Sequence, residues 1–406
     1  MSLNDTPSGE RTHIGFFGVR NAGKSSLVNA VTGQDLAVVS DVAGTTTDPV
    51  RKAMELLPLG PVVIIDTPGI DDEGELGEER VRRTRRVLRQ CDIAVLVSDA
   101  TRGLGEAERE LLDLFAERSI PHVIALNKSD LSRNAKAPVP DGTTCLATSA
   151  LTGEGVFELK ELLAHIASQH APQKRLVADL LDEGDVAVLV MPIDASAPKG
   201  RLILPQQMVV RDILDSHATC LVCQPEELAN TLGSLVRPPR IVITDSQAFA
   251  QVAPVVPHDI TLTSFSILMA RYKGSLEPFV RGAAALASVT DDSRVLISEG
   301  CTHHRQCEDI GTVKIPALLR RHSGADPHLS FTSGGDFPDD LSVYDLVIHC
   351  GACMLNDREV AHRVGQARAA GVPIVNYGMA IAAMNGILPR TLEAFPEIAE
   401  LLETTD

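Results

Sequence analysis

Gly18-Val19-Arg20-Asn21-Ala22-Gly23-Lys24-Ser25 is the stretch on which the fold turns. It follows a strand-like apolar run, Ile14–Gly18, and opens a helical pattern, Ser25–Thr32, so G-x-x-x-x-G-K-[ST] stands in the context that motif requires. Glycines at Gly18 and Gly23 let backbone N–H groups approach phosphates closely, and a helix N-terminus adds favourable partial charge. Lys24 is placed to reach the β- and γ-phosphates and Ser25 to ligate Mg²⁺. A glycine turn can be purely structural, so the residues downstream of it decide between the two readings.

Four further signals come in order along the chain. Asp41-Val42-Ala43-Gly44-Thr45-Thr46-Thr47-Asp48 is polar and offers Thr46 as the Mg²⁺-sensing threonine, with Thr45 beside it. Asp66-Thr67-Pro68-Gly69 closes a strand, Val62–Asp66; Asp66 suits a Mg²⁺-bound water, and the Gly69 N–H suits the γ-phosphate. Asn127-Lys128-Ser129-Asp130 ends the strand His122–Asn127. A carboxylate at Asp130 accepts from the two donors on one guanine edge and rejects adenine, which would leave the charge unpaired. Thr148-Ser149-Ala150 supplies a backbone N–H for the guanine carbonyl. Together these elements imply a GTP-hydrolysing domain that binds GTP or GDP with Mg²⁺.

This region resembles the TrmE–Era–EngA group of GTPases, on Asn21-Ala22-Gly23-Lys24-Ser25-Ser26, Gly44-Thr45-Thr46-Thr47-Asp48 and Asp66-Thr67-Pro68-Gly69. Ile70 stands where a water-orienting Gln occurs in Ras-like proteins, and an aliphatic side chain cannot orient water, so slow intrinsic hydrolysis is expected. The resemblance implies that Asn21 helps bind K⁺ in place of an arginine finger. The next segment, Asp71–Gln90, is acidic early and arginine-rich late. It reads as a solvated helix face, or alternatively as a docking surface for an acidic partner.

Beyond the motifs, strand-like and helical runs alternate along the whole chain, the pattern of α/β domains with largely parallel sheets. The expected division is a flexible arm over 1–12, the GTPase domain over 13–172 ending at Pro172, a second α/β unit over 173–262 and a third over 263–406. In the second unit, strands are expected at Val186–Met191, Thr219–Val222 and Arg240–Thr244, with a helix over Gln206–His217. In the third, strands are expected at Arg294–Ser298, Leu346–His349 and Pro373–Tyr377, with a helix over Arg358–Ala370.

Composition narrows the function classes. With 37 Lys+Arg against 54 Asp+Glu, the net charge of −17 repels phosphate backbones, and 3% aromatic residues with no Trp leave few platforms for stacking bases. No nucleic-acid partner is expected. No apolar run reaches a membrane span and residues 1–12 are polar, so a cytoplasmic protein without membrane association is expected.

The eight cysteines, read as reduced, are metal candidates where they cluster. Cys301-Thr302-His303-His304-Arg305-Gln306-Cys307 follows one predicted strand and His349-Cys350-Gly351-Ala352-Cys353 follows another. If those strands are parallel neighbours, both clusters emerge at the carboxyl edge of one sheet. Cys301, Cys350 and Cys353 with His303 or His349 would satisfy tetrahedral Zn²⁺; the same thiolates would equally hold a [4Fe–4S] cluster with one exchangeable ligand. Cys220-Leu221-Val222-Cys223 has redox spacing, but its apolar middle reads as core strand, and Cys91 and Cys145 read as core.

Cys-x-His followed by His-Cys-x-x-Cys, behind such a GTPase domain, resembles the HydF family of [FeFe]-hydrogenase maturation GTPases across nearly the whole chain. The resemblance implies a dimerisation domain in the middle and a homodimer. It implies a [4Fe–4S] cluster on Cys301, Cys350 and Cys353, with His303 and His349 at or beside the exchangeable site. It also implies a scaffold that takes a diiron precursor from the radical-SAM maturases HydE and HydG and passes it to the hydrogenase apoprotein. The rival reading is an RNA- or ribosome-associated GTPase with a C-terminal structural zinc site.

Overall fold

The computed structural model describes residues 6–34, 50–69, 84–131, 143–169, 174–193, 202–300 and 309–403. The chain divides into two compact units, Met1–Pro172 and Gln173–Asp406.

The N-terminal unit is built on β1 (Thr12–Phe17), β2 (Val50–Leu56), β3 (Gly60–Asp66), β4 (Ile93–Asp99), β5 (His122–Asn127) and β6 (Cys145–Ala147). They form one sheet in the order β2-β3-β1-β4-β5-β6. Every pairing is parallel except β2 with β3, an antiparallel hairpin that the sequence pattern does not announce. Only Leu56 of β2 is buried and three consecutive residues, Arg51, Lys52 and Ala53, are exposed, so the strand lacks the apolar run that marks its neighbours. Around the sheet lie α1 (Lys24–Thr32), α2 (84–88), α3 (Glu106–Glu117) and α4 (Val156–Gln169). β4 is buried at every residue, as a central parallel strand covered on both faces must be. Its alternate side chains enter two separate cores: Ile93, Val95 and Val97 pack with α1 and α4, whereas Ala94 and Leu96 pack with α3. Residues 6–12 were expected to belong to a flexible arm, yet they are pinned to the sheet. Arg11, 8% exposed, donates to the Met54 carbonyl at 2.9 Å and to the Thr6 carbonyl at 2.7 Å.

The C-terminal unit carries two four-stranded, all-parallel sheets. The first has β7 (Val186–Val190), β8 (Thr219–Cys223), β9 (Ile241–Thr244) and β10 (Thr261–Ser264) in the order β10-β9-β7-β8. Its helices are α5 (Leu204–Asp215), α6 (Leu228–Ser234), α7 (Phe249–Val252) and α8 (Phe265–Tyr272). The second has β11 (Arg294–Ser298), β12 (His328–Thr332), β13 (Leu346–His349) and β14 (Ile374–Asn376) in the order β12-β11-β13-β14. It is accompanied by α9 (Leu276–Ala284), α10 (Ile315–Ser323), α11 (Asp357–Ala369), α12 (Tyr377–Met384), α13 (Leu388–Thr391) and α14 (Pro396–Glu403).

The boundary expected after residue 262 cuts through β10, an edge strand that pairs with β9. Thr261-Leu262-Thr263-Ser264 is too short and hydroxyl-rich to announce itself as a strand. Helix α5 begins two residues before its expected start, where Pro205 tolerates the first turn and Gln206 accepts from the Ile203 N–H at 3.1 Å. It ends before His217, whose φ of +59° is incompatible with continued helix.

One apolar core runs under both sheets. Leu189 and Ile243 of the first sheet share it with Val295, Leu296 and Val347 of the second. The opposite face of the first sheet, through Val188, Val190, Val242 and Leu262, has a smaller core of its own. Helix α12 lies within the shared core, and a Cβ on its Gly378 would sit 2.2 Å from the Ser266 Cβ, so only glycine permits that approach to α8. Among the described residues no helix is long and apolar enough to cross a membrane.

Candidate functional site

At the nucleotide loop, glycine is required twice. Gly18 has φ +156° and a Cβ there would stand 2.3 Å from the Val97 carbonyl oxygen. Gly23 has φ +82° and its Cβ would stand 2.3 Å from Asn127 Nδ2. Helix α1 starts at Lys24, so its unpaired first-turn N–H groups, including those of Ser25 and Ser26, open onto the loop. Asp66, 7% exposed at the end of β3, accepts from Ser25 Oγ at 2.9 Å and faces Lys24 Nζ at 3.0 Å. A hydroxyl and a carboxylate converging beside a lysine form a hard-oxygen donor set that fits Mg²⁺ with a phosphate. Gly69 packs on the loop, where a Cβ would meet the Arg20 backbone at 3.1 Å. Thr45, Thr46 and Ile70 lie outside the described residues.

Asn127 ties the Thr148-Ser149-Ala150 loop to the phosphate loop. Its buried amide donates to the Ala22 and Gly23 carbonyls at 3.1 and 3.2 Å, while its Oδ1 accepts from the Ala150 N–H at 3.0 Å. Lys128, with φ +64°, donates to the Asn21 carbonyl at 2.7 Å. Ser149 donates to Asp130 Oδ1 at 2.6 Å, which orients an otherwise exposed carboxylate. Asp99 was missed by sequence reasoning: it pairs with Lys128 Nζ at 2.6 Å. Burial works against its charge, but hydrogen bonds from Lys128 and Thr101 outweigh that and hold its carboxyl below the ordinary aspartate value. The available signal was a polar Ser98-Asp99 closing an otherwise apolar strand.

The second site lies where β11 and β13 leave their sheet. They pair in parallel, with Ser298 opposite His349, and this register carries residue 300 to Cys350. The Gly300 N–H donates to Cys350 Sγ at 3.0 Å and the Ala352 N–H does so at 3.4 Å. Ala352, with φ +55°, turns the chain between Cys350 and Cys353. Burial pushes the Cys350 thiol up and, with Cys350 alongside, pushes Cys353 up to about 11. Thiols so placed become thiolates when a cation takes the proton's place. Soft sulfur donors on one tight turn, beside the residue that precedes Cys301, fit zinc or an iron–sulfur cluster. Cys301, His303, His304 and Cys307 lie outside the described residues, and among those described no group of three or more potential ligands converges.

His349 is 2% exposed and both ring nitrogens are engaged. Nε2 lies 3.0 Å from Arg363 Nη1, and a guanidinium can only donate, so Nε2 accepts. Nδ1 therefore carries the proton and donates to the Cys350 carbonyl at 2.8 Å. Burial first and the Arg363 charge second hold its pKa down to about 3. Sequence reading did not single out Arg363, because an arginine at mid-helix looks like a surface residue. The cysteines of Cys220-Leu221-Val222-Cys223 occupy opposite faces of β8, Cys220 against the shared core and Cys223 against the smaller one. They cannot chelate together from that strand.

The loop geometry and a family model described as 50S ribosome-binding GTPase, matched over residues 13–128, define a P-loop GTPase. Two further models take in most of the remaining chain: the hydrogen maturase F dimerization domain over 176–274 and the hydrogen maturase F tetramerization domain over 277–394. These two together match more than half of the chain, which belongs to the hydrogen maturase F family.

The tRNA modification GTPase MnmE of Neisseria meningitidis serogroup C is 36% identical over 156 residues, 38% of this chain and 34% of that protein. MnmE of Dechloromonas aromatica is 32% identical over 168 residues, 41% of this chain and 37% of that protein. The chain spans about a third of the length of these relatives, and the likeness concerns the GTPase domain. Among solved structures, the G domain of Thermotoga maritima FeoB covers 39% of this chain and 99% of its own at 26% identity and a TM-score of 0.30. Aquifex aeolicus Era covers 60% and 97% at 17% identity and a TM-score of 0.35.

Proposed function

We propose that this GTPase is a scaffold and carrier in [FeFe]-hydrogenase maturation, holding a [4Fe–4S] cluster on Cys301, Cys350 and Cys353. The observation that carries the reading is the Gly300 N–H bonded to Cys350 Sγ at 3.0 Å, because it brings the residue before Cys301 to the Cys350–Cys353 turn. His303 and His349 stand at or beside the exchangeable position. The cluster, when bound, supplies an iron with one replaceable ligand on which a diiron precursor can be held. The precursor comes from the radical-SAM maturases HydE and HydG and goes to the hydrogenase apoprotein, from a homodimeric cytoplasmic carrier.

In the GTPase half, Lys24 and the loop amides hold the phosphates, Ser25, Asp66 and Thr46 organise Mg²⁺, and Asn127, Asp130 and Ala150 select guanine. Hydrolysis acts as a slow switch on partner affinity. Asn21, exposed at the loop with φ +61°, is suited to bind K⁺ beside the phosphates. Turnover that is equal in K⁺ and Na⁺ buffers would remove that role. The RNA-directed alternative draws on the ribosome-binding GTPase model and the MnmE relatives, and both likenesses are confined to the GTPase domain.

Anaerobic purification with iron and sulfide analysis, followed by EPR of the reduced protein, tests the central claim. About four iron and four sulfide per chain are expected for one [4Fe–4S] cluster, with the signal lost in Cys350→Ser. Zinc in place of iron, with no iron uptake on reconstitution, sinks it.

A further inference from the structure

Arg363 has the most unusual setting near the thiol turn. It sits within α11 and is 1% exposed, and each of its three nitrogens is satisfied inside the protein. Nε donates to Glu359 Oε1 at 2.8 Å, Nη1 to His349 Nε2 at 3.0 Å and Nη2 to the Gly334 carbonyl at 2.7 Å. Its guanidinium lies 4.9 Å from the Phe337 ring centroid, and that ring in turn packs against His349.

Fold stability does not account for such a residue. A buried ion pair is weak evidence of stabilisation, since apolar side chains of the same volume often do as well or better. The Glu359 side of the pair is also imperfect: Oε2 is buried without a hydrogen-bond partner among the described residues. The asymmetry has a direction, because the guanidinium reaches past Glu359 to the imidazole next to Cys350.

We propose that Arg363 is a positioning and counter-charge residue of the cluster site: it keeps His349 off the iron and offsets the negative charge gathered at the Cys350–Cys353 turn. This inference rests on the iron–sulfur reading above. A cluster on three thiolates is anionic and becomes more so on reduction, and its potential follows net charge and hydrogen bonding nearby. A fixed cation therefore makes the reduced state easier to reach. Because Nε2 accepts from Arg363, His349 has no lone pair to offer iron while that bond stands, and the fourth position is left to other ligands.

Full-length wild type, Arg363→Gln and Glu359→Gln are reconstituted anaerobically and titrated by EPR, with ¹⁵N-histidine labelling for hyperfine spectroscopy. Arg363→Gln is expected to shift the redox equilibrium at least tenfold toward the oxidised cluster, a drop of about 59 mV for one electron. It should also gain a histidine nitrogen coupling beyond any that His303 gives the wild type, and this added coupling should be missing from a control His349→Ala/Arg363→Gln double variant. Glu359→Gln removes the opposing charge and is expected to move the potential upward. Shifts of opposite sign are a signature of charge that a packing defect does not produce.

A wild type that takes up no iron and sulfide brings down the cluster reading and this inference with it. A loaded wild type whose two variants keep its potential, or move in the same direction, overturns the inference alone. If Arg363→Gln holds no cluster, Glu359→Gln decides: an upward shift supports the role and an unchanged potential overturns it.

Discussion

The nucleotide site and the thiol site both form where loops leave the carboxyl ends of parallel strands, but they are braced differently. At the nucleotide site the bonds run from loop to loop: Asn127 joins the Ala22 and Gly23 carbonyls to the Ala150 N–H, and Lys128 joins Asn21 to Asp99. At the thiol site the bracing comes from behind, through Arg363 and Glu359 on α11. A site braced laterally can let its loops part and close around a ligand that is exchanged. One braced from the buried face of a helix holds a fixed turn against which a resident group can sit.

That contrast can be broken most directly at Lys24. Lys24→Ala should lower GTP turnover by about 10²–10³, the loss typical of removing a donor from a charged transition state, while iron uptake stays at the wild-type level. If iron uptake fell with it, the two sites would not be independent. Asn127→Ala comes next: it leaves three backbone partners without their bonds and should destabilise the N-terminal unit by about 1–3 kcal/mol per group left buried. Nucleotide-free thermal melting reads that loss, and an unchanged transition would mean the loops are not held this way.

Smaller effects compare one ion pair from each unit. Asp99 pairs with Lys128 at 2.6 Å, and Asp179 receives both Arg271 nitrogens at 2.6 and 2.7 Å. Burial opposes the Asp99 charge but its hydrogen bonds prevail; for Asp179 the Arg271 hydrogen bonds come first, and both carboxyls sit below the usual value of 3.8. A depressed folded-state pKa contributes stability above the unfolded value and loses it as pH falls through the folded one. Asp99→Asn and Asp179→Asn should therefore each cost about 1 kcal/mol or less at pH 7, the Asp179 value reduced further by solvent screening. Both differences should vanish in denaturant titrations run well below pH 3.8. Smallest of all, Cys220→Ala with Cys223→Ala should leave iron content unchanged. A drop would show that β8 contributes ligands after all.

The GTPase class was legible because the phosphate loop and the motifs after it are contiguous stretches whose residue types follow from phosphate and guanine chemistry. At the thiol site the sequence offered candidate ligands only. The expectation that its two clusters meet depended on β11 and β13 being parallel neighbours, a fact of sheet order that no local pattern contains. Three strands escaped notice for a physical reason: β2, β10 and β12 are edge strands of their sheets. In β2 and β12 much of the strand is exposed, and β10 is rich in hydroxyls, so none carries the apolar run of a central strand. Arg363 and Asp99 went unread because a charge gives no local sign of being buried or paired.

The apolar core shared by the two C-terminal sheets has a thermal consequence. Gly378 lies against Ser266, and Leu189 and Ile243 share one buried cluster with Val295 and Val347, so the two sheets are joined through a common core. Calorimetry of Gln173–Asp406 should then record a single cooperative endotherm, with calorimetric and van't Hoff enthalpies in agreement. The division between residues 274 and 277 that separates the two family models is invisible to heat. The thiol turn should then unfold only when the entire block does.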